Sequence, residues 1–152
     1  MIKKFLFILC CIFTFSISTC SAEKFLSSDS AAIGGITTGS SGEYVKSIYG
    51  DPNKIRVSEN SQGVVTWYYG DTFQIDFTNG LASAVVSSGN NGLATPDGIS
   101  VGMKKSKITS KYGRPQESDK YGTRAIYTYK TDNGTNVTFI VNGDLIKEIR
   151  IS

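Results

Sequence analysis

Gly35-Ile36-Thr37-Thr38-Gly39, closed by Tyr49-Gly50-Asp51-Pro52, returns later in the chain as Gly98-Ile99-Ser100-Val101-Gly102 and Tyr112-Gly113-Arg114-Pro115. The offset is 63 positions between Gly35 and Gly98 and between Gly50 and Gly113, and the Asn79-Gly80 and Asn142-Gly143 pairs keep it. Self-similarity at a fixed period predicts a tandem duplication. Residues held in both copies then belong to the fold, and positions where the copies differ are where function is to be sought.

Working outward from the motif, Ser40 or Ser41 is placed to cap a short helix, and Ser40 with Glu43 has capping-box spacing. Val45, Ile48 and Tyr49 fall on one helical face, and Gly50 and Pro52 stop the helix. The second copy repeats this with Ile108, Tyr112, Gly113 and Pro115, but its helix start lacks a good cap. After each helix the pattern alternates in β-branched and aromatic residues: 64–69, 72–78 and 81–86, then 124–131, 136–141 and 145–151. Gly70-Asp71, the two Asn-Gly pairs and Asp132-Asn133-Gly134 supply the turns. The expected class is α+β: two tandem units, 34–88 and 98–152, each a short helix followed by an antiparallel β-meander. Residues 89–97, with Gly89-Asn90-Asn91-Gly92 and Pro96, read as a connector.

The amino terminus is of another kind. Lys3 and Lys4 precede the apolar run from Phe5 to Ile17, and small residues follow at Thr19-Cys20-Ser21-Ala22. That order reads as a secretion signal over residues 1–22. Signal peptidase would cut after Ala22; alternatively, Ile17-Ser18-Thr19-Cys20 forms a degenerate lipobox, with Cys20 the candidate lipidation site and the only link to a membrane. Residues 23–33, including Ser27-Ser28-Asp29-Ser30, lack an apolar period and read as a flexible leader.

Cys10, Cys11 and Cys20 are the only cysteines, so a chain cut after Ala22 has no disulfide and depends on its core. The whole chain has 16 basic and 13 acidic residues; losing Lys3 and Lys4 leaves 14 basic residues and a net charge of +1. No overall basic field remains, which argues against nucleic acid as a partner. A unit of roughly 55 residues is marginal by itself without disulfides or metal, so the two copies are expected to pack together.

With Gly-Ile-x-x-Gly, a short helix, Tyr-Gly-x-Pro and then strands, each copy resembles the outer-membrane lipoprotein family that includes the small accessory subunit of the β-barrel assembly machine. Two such units in tandem are similar to the arrangement in the β-lactamase inhibitory protein. The resemblance covers about residues 35–152 and implies helices packed on one face of an antiparallel sheet. The mature chain lacks the disulfides of the inhibitory protein, and no binding residue of either family is carried over.

The residues give little support to catalysis. The chain has no histidine, and the mature form has no thiol. Gly39-Ser40-Ser41-Gly42 is not a nucleophile elbow, and no phosphate-cradling glycine motif is present. No cofactor or metal site is expected; Asp132-Asn133-Gly134-Thr135-Asn136 has oxygen ligands but the composition of a turn. Trp67 and Tyr69, matched by Tyr127 and Tyr129, read as core, whereas Tyr68 falls on the opposite strand face and is a candidate partner anchor. The helices differ most: Lys104, Lys105, Lys107 and Lys111 stand where the first copy has Ser41, Gly42, Tyr44 and Ile48. That basic run is a candidate contact for an anionic envelope component or an acidic protein, against the simpler reading of a solvated face. The expected role is an exported, non-enzymatic envelope protein that binds a protein or envelope component. The alternatives are an inhibitor of a secreted or periplasmic enzyme and a structural envelope lipoprotein.

Overall fold

The computed structural model describes residues 24–58 and 63–152. The expected secretion signal, residues 1–22, and the candidate lipidation site Cys20 therefore lie outside the described residues. A helix α1 (Gly42–Tyr49) precedes strands β1 (Lys54–Val57), β2 (Val64–Tyr69), β3 (Phe73–Thr78) and β4 (Leu81–Ser87). A second helix α2 (Ser106–Tyr112) precedes β5 (Glu117–Tyr121), β6 (Arg124–Lys130), β7 (Asn136–Asn142) and β8 (Leu145–Ile151).

These eight strands form one antiparallel sheet in the order β1-β2-β3-β4-β8-β7-β6-β5. The expected α+β class with two tandem helix-plus-meander units is thereby corrected. The described residues are mainly β, and the two α-helices among them are only eight and seven residues long. At the centre β4 pairs with β8 through Val85↔Ile151, Val86↔Arg150 and Ser87↔Ile149. A separate meander would leave β4 and β8 as open edges with unpaired amides and carbonyls, and joining them satisfies both.

Strand alternation decides which side is buried. In β3, Phe73, Ile75 and Phe77 point inward while Gln74, Asp76 and Thr78 are half-exposed. In β7, Val137, Phe139 and Val141 are buried in the same way. These residues, with Val45 of α1 and Ile108 and Tyr112 of α2, belong to a single apolar cluster that runs the width of the sheet. Both ladders are irregular at matching places, Asp76/Phe77 against β4 and Ile140/Val141 against β8. Bulges of this kind bend the strand and strengthen its twist.

Most local expectations hold, and one departs. Ser41, not Ser40, caps α1, accepting a hydrogen bond from the Tyr44 amide at 3.1 Å, while the Ser40 hydroxyl accepts from the Thr37 amide. The first residue flanking α2 is Lys105, which makes no side-chain cap. Ile48 is exposed although its spacing placed it on the buried face, and Val45 and Tyr49 are the α1 residues that pack into the core. Gly50 and Gly113 follow the helices at φ 74° and 78°, a region that favours glycine, and their amides donate to the Lys46 and Thr109 carbonyls.

Residues 24–33 do not stand free as a leader. Leu26 forms a parallel bridge to Thr131, its amide donating to the Lys130 carbonyl and its carbonyl accepting from the Asp132 amide. Ala31, Ala32 and Ile33 are buried. The segment's apolar residues are too few to show a period, yet they close the core beside Ile36.

Two clusters of rings fill the space under the helices. Tyr49 meets Tyr69 and Phe73 with centroids 5.5 and 5.2 Å apart, and Tyr112 meets Tyr129 and Phe139 at 5.4 and 5.7 Å. The Tyr69 and Tyr129 hydroxyls donate to the Gly50 and Gly113 carbonyls, which ties each helix end to the sheet. Burial pushes the Tyr129 hydroxyl from the usual 10.0 up to about 12. Burial raises Tyr112 further, partly offset by its hydrogen bond with Thr95 at 2.8 Å.

Because the folded protein holds these protons more tightly than the unfolded chain, their contribution to stability is complete below pH 10 and is lost as pH rises from 10 towards 12. Absorbance titration should show Tyr112 and Tyr129 ionising only together with alkaline unfolding, and early ionisation of all eight tyrosines would contradict the burial described. Ile151 lies at the seam, fully buried between Val85 and Val137. Ile151→Ala should cost about 2–5 kcal/mol and leave one cooperative urea transition, because the core is shared. Two separated transitions would indicate independent halves.

Candidate functional site

A cleft of about 570 Å³ opens between the start of α1 and strands β2 and β3. Val65, Trp67 and Phe77 form its floor, Ser41, Gly42, Glu43 and Lys46 one wall, and Gly63 and Gly80 its ends. Trp67 packs on Phe77 with ring centroids 4.5 Å apart, and the Lys46 ammonium sits 5.4 Å from the Trp67 ring. Lys46 also pairs with Asp51 at 2.8 Å. The result is an apolar floor with one acidic and one basic residue at its margin.

Local sequence explains why the cleft exists. A Cβ on Gly42 would come within 2.9 Å of the far edge of the Trp67 ring, so only glycine allows the indole to lie under the start of α1. In the other half, Lys104 bridges to Leu145 as Ser41 bridges to Leu81, which sets Lys105 opposite Gly42. Tyr127 there faces the core from β6 as Trp67 does from β2. At Gly42 the missing side chain leaves room for the large Trp67 ring, and the cleft opens beside it.

The residues singled out from sequence are not brought together. Tyr68 is half-buried on the face of the sheet away from the helices, with the Lys54 ammonium 5.8 Å from its ring and Gln74 opposite it in β3. Lys105 pairs loosely with Asp144 at 3.9 Å and donates to the Gly143 carbonyl, and Lys111 pairs with Asp97 at 3.4 Å. Lys104 and Lys107 are exposed. Half of the basic run is thus already engaged with acids of its own chain. The Asp132–Asn136 stretch is a turn: Asp132 accepts from the Ser28 amide and Asn133 from the Thr135 amide and Thr131 hydroxyl.

Sequence reasoning placed Trp67 in the core and missed the cleft it floors. The available signals were its being the only tryptophan and the Gly42-to-Lys105 difference. Gly42→Val should push the indole towards solvent, shift its emission to the red and cost about 1–3 kcal/mol through overpacking. An unshifted spectrum would mean that Gly42 is not what admits the ring.

No family model matches the sequence, and no curated protein matches it. Solved structures do. A DUF4309 family protein from Bacillus subtilis is similar at 12% identity and a TM-score of 0.52, over 78% of this chain and 82% of that one. An extracellular protein containing a SCP domain, from Bacillus anthracis, is similar at 15% identity and a TM-score of 0.50, over 74% of this chain and 43% of that one. A cysteine-rich secretory protein from Staphylococcus aureus is similar at 10% identity and a TM-score of 0.50, over 74% and 42%. At such identities the likeness is one of fold alone. The chain spans less than half the length of the last two proteins.

Proposed function

We propose that the protein is exported and acts in the bacterial cell envelope as a non-enzymatic binding protein, with the Trp67 cleft as its contact for a protein partner. The carrying observation is the cleft itself: an apolar floor of half-buried Val65 and Trp67 and buried Phe77, bordered by Glu43 and Lys46. Aromatic residues in such hollows are the usual anchors of binding energy. A cleft of this size admits one or two apolar side chains, with Glu43 and Lys46 placed to meet polar groups beside them.

Export is supported by the basic, apolar and small-residue order of residues 1–22. Two structural neighbours, one an extracellular and one a secretory protein, agree with it. A non-enzymatic role is supported by the lack of histidine and, in the mature chain, of cysteine. The basic run Lys104, Lys105, Lys107 and Lys111 and the Tyr68 face are secondary contacts in this reading. An inhibitor of a secreted enzyme would use the same cleft, with an enzyme as the protein bound. A lipoprotein would add an anchor at Cys20.

Cross-linked capture from envelope extract should recover the same partner with wild type and with Lys104, Lys105, Lys107 and Lys111 changed to Gln. Trp67→Ala should lose it, with affinity falling about 30-fold or more if the indole is an anchor of 2 kcal/mol. Equal capture by Trp67→Ala would refute the cleft as the contact. Mass measurement of the mature amino terminus separates cleavage after Ala22 from lipidation of Cys20.

A further inference from the structure

The sheet has eight strands, all antiparallel to their neighbours, with β1 and β5 at its two edges. An even number of alternating strands makes the two edge strands run in opposite directions. A second copy laid beside the first with its helices on the same side would therefore bring β5 next to β1 in antiparallel order. No reversal of direction or face is required for the sheet to continue across two copies.

The side chains at these edges are complementary. Lys54 and Arg56 lie opposite Tyr68 and Thr66 in the β1–β2 ladder, on the face away from the helices. Glu117 and Asp119 lie opposite Thr128 and Ile126 in the β5–β6 ladder, on that same face. Antiparallel pairing of Lys54 with Asp119 and Arg56 with Glu117 keeps all four on one side of the continued sheet. Every residue of both strands is exposed, including Ile55, Val57 and Tyr121 at 55%, 64% and 65%. Arg56 and Asp119 form no ion pair among the described residues.

We propose that the protein associates with a second copy of itself head to tail, the β1 edge of one copy adding to the β5 edge of the next. Pairing like edges is disfavoured by the same charges. Two β1 strands related by a twofold axis set Lys54 against Arg56, and two β5 strands set Glu117 against Asp119. Like charges directly opposite are destabilising, whereas opposite ones contribute favourably. Charged residues on an edge normally block pairing altogether; here they block two of the three combinations and favour the third. A contact between unlike surfaces propagates into open chains unless its rotation closes a ring. Four or five residues of ladder give a weak, salt-sensitive association, independent of the Trp67 cleft.

Sedimentation velocity on the protein at increasing concentration tests this. Wild type should sediment faster as concentration rises in low salt, and the effect should shrink when salt shortens the reach of charges. The double variants K54E/R56E and E117K/D119K should each associate at least about tenfold more weakly, since two favourable pairs become two repulsive ones. An equimolar mixture should recover association, because each edge again meets its opposite. The single variants R56E and D119K break no ion pair of their own chain among the described residues and should give the same result in smaller measure, with unchanged melting. A monomeric wild type at about millimolar concentration in low salt, doubles that associate as wild type does, or a mixture that stays monomeric would each overturn the proposal.

Discussion

The hydrogen-bonded seam between β4 and β8 is the constraint on which the rest of the structure depends. It comprises three residue pairs, Val85↔Ile151, Val86↔Arg150 and Ser87↔Ile149. Those pairs turn eight strands into one sheet and place Val85, Ile149 and Ile151, all fully buried, at the middle of the core. Without the seam, each half would present an open central edge and bury too little apolar surface to offset the entropy of ordering its chain. No cysteine lies among the described residues, so the shared core is what holds them together.

The seam also explains which parts of the fold were legible in the sequence. β3 and β7 are visible because they alternate apolar and polar residues against a buried face, and β2, β4, β6 and β8 because β-branched and aromatic residues gather between turn signals. β1 and β5 were not visible. Both are fully exposed, and Glu117-Ser118-Asp119-Lys120 has no apolar side to betray it; these residues become strand only because β6 offers an edge. The pairing of β4 with β8 was hidden for a different reason. Nothing local to Leu81–Ser87 names the strand beside it, so the recurring motif was read as two units when hydrogen bonding makes one sheet. Residues 24–33 illustrate the same limit, since Leu26 is fixed by a partner, Thr131, far along the chain.

The candidate site was legible only in part, and the missing part is instructive. Trp67 alternates with the strand and packs on Phe77, so every local rule assigns it to the core. What exposes it is an absence, the missing side chain at Gly42, which admits the ring and leaves a hollow beside it. A sequence comparison of the halves does register that position, but it draws attention to Lys105, the conspicuous residue, in place of Gly42, the informative one. Lys105 and Lys111 have acids of their own chain beside them, Asp144 and Asp97, and long-range pairs of this sort do not show in a helix's own composition.

Edges and cleft follow from a single asymmetry in how the two halves are used. The inner strands and the ring clusters under the helices serve both halves alike, because each must cover its share of the same sheet. Two of their departures lie at the margins, at the start of a helix and along an outer strand. At the first of these places the halves differ in volume, Gly42 against Lys105; at the second they differ in charge, Lys54 and Arg56 against Glu117 and Asp119. A sheet whose centre is fixed by packing is thus free to carry unlike chemistry at its margins. Unlike margins on one rigid sheet are the physical requirement for any contact that distinguishes one side of the molecule from the other.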